Sequence, residues 1–222
     1  MSETQTPPSA DPGTVPPEEL ASRLASRLCH DFINPASAII SGLDLLEDPT
    51  AKDMRDDAMQ LITASAYKLV DAIAFARVAY GAAAGATAFD SQELERLTRA
   101  TFAHVRPDLD WAIAPQSVGA HAGRILLNLA QLAAGALPLG GMARVSAAPA
   151  EGRLTLTVEA KGAKARLQPE VGGGLRGDPL GEGLGGRWVQ AYYVHVLARA
   201  AGGDTSVEVQ DEQVIFTATI AA

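Results

Sequence analysis

From Glu18 the chain settles into a helical pattern of apolar positions. Leu20, Leu24, Leu28, Phe32, Pro35, Ile39, Leu43 and Leu46 recur at three- and four-residue steps, one stripe of an amphipathic helix. Asp48-Pro49 stops it, and Thr50 with Asp53 reads as a capping box that opens a second helix. Met54, Ala58, Leu61, Ser65, Leu69, Ala72 and Ala76 carry the second stripe as far as Gly81. Two helices of roughly 30 residues joined by a tight turn predict an αα-hairpin over residues 18–81. Ahead of it, residues 1–17 are rich in Pro, Ser and Thr, lack periodicity, and read as a disordered tail.

Beyond a small-residue linker at 82–88 the texture changes, and residues 89–222 form a second domain. Helical pattern covers Ser91–Ala103, Gly119–Ala136 and Gly186–Ala201. Strand-like alternation covers Leu109–Ile113, Met142–Ala147, Arg153–Ala160, Thr205–Val209 and Val214–Ile220. Breaks at Ala150-Glu151-Gly152 and Asp211-Glu212 predict two antiparallel hairpins. The fold class is therefore α+β, with a helical hairpin followed by a sheet that carries helices on one face.

One polar residue stands out on the first helix. With Leu28 at zero on a helical wheel, the stripe from Leu24 to Leu46 stays within about 60° of it, while His30 falls near 200°, with Ser26, Asn34, Ser37 and Ser41. His30 is thus expected on the solvent face. Ile33 and Ile40 lie about 120–140° from Leu28, so a lone hairpin leaves apolar surface wet, and a homodimeric four-helix bundle is expected. Cys29 points elsewhere than His30 and reads as a small packing residue. His104, His121 and His195 are scattered, with no metal-ligand spacing and no acidic partner evident, and read as structural.

Composition narrows the classes. A net charge of −8 argues against a nucleic-acid or anionic-membrane partner. No apolar run reaches the ~18 residues of a membrane span, and the N-terminus MSETQTPPSADPG lacks a signal-peptide pattern. A single cysteine excludes an intrachain disulfide. A soluble cytoplasmic protein is expected.

The run His30-Asp31-Phe32-Ile33-Asn34-Pro35 resembles the H-box of sensor histidine kinases, where proline follows the phosphoacceptor histidine by five positions. A proline inside a helix costs about 3 kcal/mol and is expected to mark a kink. The resemblance implies that His30 is the nucleophile, that Asp31 orients its ring or accepts its proton, and that Asn34 positions water. A free imidazole, with a pKa of about 6.5, is largely neutral near pH 7.

The second domain resembles the Bergerat-type ATP-binding module of those kinases. Leu126–Ala133 has the shape of the N-box helix, but Leu132 stands where the family places a second Mg²⁺-ligating asparagine. Ala160 stands where an aspartate reads adenine, and Lys164 replaces a box glycine. Gly181–Gly186 resembles the last glycine box, and the loop from Ala165 to Leu180 is short for an ATP lid. Over nearly all of the chain after the tail, this combination resembles the ChpT-type histidine phosphotransferases. That likeness implies a degenerate ATPase-like domain without a cofactor of its own, with Mg²⁺ supplied by a partner receiver domain. It further implies a phosphorelay, with a hybrid kinase's receiver upstream and response regulators of the cell cycle downstream. An active ATP-dependent histidine kinase and a non-catalytic pseudokinase scaffold are the alternatives that the residues leave open. The basic run Lys161, Lys164 and Arg166 is either a receiver-docking rim or a solvated loop.

Overall fold

The computed structural model describes residues 15–81, 85–114, 116–179 and 186–222. Most of the expected tail, residues 82–84 of the linker, Leu180 at the end of the expected lid loop and residues 181–185 of the glycine box lie outside these. Helix α1 spans Pro17–Glu47 and α2 spans Arg55–Ala79. α1 is continuous through Pro35, which is buried in the hairpin. At Gly42 the helices approach so closely that a Cβ would sit 2.6 Å from Ile62 Cγ1. The expected Thr50–Asp53 capping box does not form. Asp48 Oδ1 instead accepts from the backbone N and Oγ1 of Thr50, both at 2.7 Å, a local turn that competes with helix initiation. A 3-10 turn over Lys52–Met54 then leads into α2.

The second part opens with strand β1 (Ala88–Asp90) and helix α3 (Ser91–Phe102), whose first turn Asp90 caps through Gln92 N at 2.8 Å. There follow β2 (Asp108–Trp111), β3 (Ser117–Gly119), α4 (Ala120–Ala136), β4 (Met142–Ala150) and β5 (Arg153–Lys161). The chain ends with α5 (Pro169–Arg176), α6 (Gly186–Ala200), β6 (Asp204–Gln210) and β7 (Gln213–Ala221). The main sheet has the order β2-β4-β5-β7-β6, with β2 parallel to β4 and the other pairs antiparallel. The two predicted strand hairpins are β4–β5 and β6–β7. β1 and β3 form a separate short ribbon that the sequence pattern did not reveal, since strands of this length show no period. The lid-like loop also contains a helix, α5, whose three consecutive glycines hide its helical pattern.

Period-two alternation places Leu156, Val158 and Ala160 of β5 and Val214, Phe216 and Ala218 of β7 on one face, all fully buried. That face meets α4 and α6. The hairpin is docked onto this sandwich. Phe75 and Ala79 of α2 enter the main core. Leu20 and Leu24 of α1 pack with Trp188, Val189 and Tyr192 of α6. Val15, inside the expected tail, donates its backbone N–H to Tyr192 Oη at 3.1 Å.

Candidate phosphoacceptor site

His30 sits on the outer face of α1 with its side chain 74% exposed. Its Nδ1 lies 3.7 Å from Asp31 Oδ1. That distance is too long for a hydrogen bond. With Nδ1 turned toward Asp31, Nε2 is left for an incoming electrophile. Asp31 is held from its other side by Arg27, whose Nε is 3.5 Å from Asp31 Oδ2. Arg27 also donates through Nη1 to the carbonyl of Gly186, the first residue of α6. The acid beside His30 is therefore tied to the second domain.

His30 and Asp31 border an open hollow of about 590 Å³, with Arg23, Ser26, Arg27 and Arg187 around it. Arg187 is braced by Gln168 Oε1 at 2.5 Å, and Arg23 pairs with Glu19 at 2.6 Å. The three arginines were missed in the sequence. Arg27 and Arg23 precede His30 by three and seven residues, a spacing that places them on its helix face; Arg187 carried no sequence signal. A guanidinium cluster of this kind suits phosphoryl oxygens and carboxylates, which it recognises through a planar fork of donors.

Asn34 is exposed but lines a different cleft, between the hairpin and the sandwich, which Arg27 and Asp31 also line. Arg166 lines that cleft as well, whereas Lys161 ends β5 and Lys164 takes a left-handed φ of 60° in the turn beyond it. Cys29 is exposed, so it is not the packing residue that its size suggested. His104 does have an acidic partner, which its sequence neighbours concealed: Asp71 of α2, 33 residues earlier, at 2.7 Å. His195 Nδ1 lies 3.1 Å from the carbonyl of Leu175.

The positions corresponding to the kinase nucleotide boxes are built into the core. Leu132 is 5% exposed and Ala160 fully buried. Asn128, the first N-box residue, is fully buried and donates to the carbonyls of Arg124 at 2.9 Å and Ala79 at 3.3 Å. Its Oδ1 accepts from Gln190 Nε2 at 3.1 Å, and Gln190 also donates to Gln131 Oε1 at 2.7 Å. This network joins α4 and α6 to the end of α2. Gly162 serves a backbone crossing, since a Cβ there would lie 2.6 Å from Gly140 O. Of the expected last glycine box, only Gly186 lies within the described residues.

The described residues thus place an exposed histidine on a helical hairpin backed by an α+β sandwich. A family model for the histidine phosphotransferase C-terminal domain matches residues 91–213. Protein phosphotransferase ChpT of Brucella abortus (strain 2308) is 33% identical over 210 residues, covering 93% of this chain and 98% of that protein. The solved structure of a bacterial phosphotransferase superposes with a TM-score of 0.83 at 31% identity, covering 92% of this chain and 98% of the other. The chain belongs to the histidine phosphotransferase family. No described helix is long and apolar enough to cross a membrane.

Proposed function

We propose that the protein relays phosphoryl groups between receiver domains through His30, taking them from a phosphoaspartate of a hybrid kinase's receiver and passing them to response regulators in the cytoplasm. The observation that carries this reading is the exposed imidazole, with one acid at its edge and arginines around its rim. Nε2 attacks the phosphorus of the aspartyl phosphate in line. The P–N bond forms as the P–O bond to the acyl oxygen breaks, and the receiver's carboxylate leaves with the electron pair. Asp31 balances the charge that develops on the ring. The arginines meet the phosphoryl oxygens and the receiver's acidic pocket, and the receiver brings its own Mg²⁺. Transfer onward is the same step reversed on a second receiver.

The protein works as a homodimer in this reading. Ile33, Ile40, Met59, Tyr67 and Val70 leave the hairpin with exposed apolar side chains, each more than half accessible, and a second hairpin would cover them in a four-helix bundle. In the same reading Asn34 holds a water near Asp31, with which it shares the cleft lining, and so supports slow dephosphorylation.

The test is transfer from a radiolabelled phospho-receiver to wild-type protein and to His30→Ala. Label should reach the wild type and fall at least a thousandfold in the variant, with the melting temperature unchanged, because an exposed side chain contributes within about 0.5 kcal/mol. ATP offered in place of the phospho-receiver should leave His30 unlabelled. Label in His30→Ala, or direct labelling by ATP, overturns the reading.

A further inference from the structure

We propose that the cleft between the hairpin and the sandwich is a binding site for a small organic anion with a flat apolar body. Its volume is about 390 Å³. That falls within the usual size of small-molecule pockets, roughly 300–1,000 Å³. Phe32, Phe75, Phe102, Leu132, Leu167 and Val171 give it apolar walls. Arg27, Lys68, Arg166 and Arg187 also line it, against Asp31 as the one carboxylate among the described lining residues. The chain carries a net charge of −8, so this local excess of cations runs against the charge of the whole.

Two buried polar atoms on the hairpin side are incompletely satisfied: Arg27 Nε, which reaches Asp31 Oδ2 only at 3.5 Å, and Tyr80 Oη. Both residues line the cleft, and the Arg27 guanidinium lies close enough to Tyr80 to act on its hydroxyl. A buried donor left poorly satisfied is costly, and the oxygen of a carboxylate or phosphate seated there accepts from both. The floor reaches Phe75 and Phe216, which belong to the closed core. That depth suits a small molecule; a docking protein would meet a broader, shallower surface. Because Arg27 also holds Asp31 and Gly186, an occupant engages the groups that tie His30's acid to the second domain.

Calorimetric titration of the full chain with 2-naphthoate, beside its neutral twin 2-naphthalenemethanol, tests the site. The carboxylate should bind with a Kd below about 1 mM, and the alcohol at least tenfold more weakly. Gly135 lines the cleft, and a Cβ there meets nothing within 4 Å, so Gly135→Phe should close the mouth and remove binding without lowering the melting temperature. If that variant does not fold, Arg27→Gln replaces it and should weaken 2-naphthoate at least tenfold. No binding by wild type, equal binding of the two probes, or naphthoate affinity retained in the folded variant overturns the proposal.

Discussion

Around His30 the chain presents the imidazole to solvent. One carboxylate lies near it, at 3.7 Å, and the neighbouring arginines rim an open hollow, each tied back to a group of the protein itself. Around Asn128 the opposite holds. Its amide is fully buried, its nitrogen donates twice, its oxygen accepts from Gln190, and Leu132 sits beside it in the core. The positions at which the related kinases are expected to hold nucleotide here join helices to one another and to the hairpin. A side chain that meets a partner needs presentation, while the Asn128 network is satisfied by the protein's own groups.

The sharpest way to break this comparison is to cut the junction between the two regions. Phe75 comes from the hairpin but is 1% exposed within the sandwich core. Phe75→Ala should destabilise the protein by about 3–5 kcal/mol, read by chemical denaturation as one cooperative transition shifted to lower denaturant. Two separate transitions in the wild type would show that the halves do not share a core.

A smaller effect sharpens the hairpin side. Val70 is 62% exposed on α2, and Val70→Glu would place a charge in the proposed dimer interface. Sedimentation should show the dimer weakened at least a hundredfold, about 2.7 kcal/mol, while His30 still accepts phosphoryl groups from a receiver. A wild-type monomer at micromolar concentration would remove the bundle from the account.

Much of this was legible in the sequence because periodicity reports burial. The outward turn of His30 and the exposure of Ile33 and Ile40 follow from 100° per residue alone, and the long sheet strands follow from their alternation. What the sequence hid was contact between distant segments. Asp71 could not be matched to His104 across 33 residues, nor Arg187 brought beside His30, because neither pairing has a local signature. Short elements were hidden for a different reason. The three residues of β1 show no period, and the glycines of α5 suppress its helical propensity. The Thr50–Asp53 cap failed because Asp48 reached Thr50 first, a competition among turn residues that pattern alone does not rank.

The smallest expected effect concerns the basic run at the sandwich edge. The sequence offered Lys161, Lys164 and Arg166 as equal members of a docking rim, and the structure separates them. Arg166 lines the cleft together with Asp31 and Asn34, within the same basic surround that Arg27 and Arg187 extend toward His30. Lys164 is exposed in a strained turn and lines neither that cleft nor the hollow around His30. A receiver's acidic site approaching His30 would feel both cations, Arg166 more strongly if the shared cleft lining with Asp31 brings it nearer, and such steering raises association rates at low ionic strength. The pair Lys164→Glu and Arg166→Glu should slow transfer from a phospho-receiver about tenfold at low salt, roughly 1.4 kcal/mol. Arg166→Glu alone should give most of that loss, and added salt should shrink the gap between variant and wild type. Stopped-flow transfer rates at two ionic strengths measure all three. A double reversal that transfers at the wild-type rate at low salt would leave the run as a solvated loop, and the docking surface would then rest on Arg23, Arg27 and Arg187 alone.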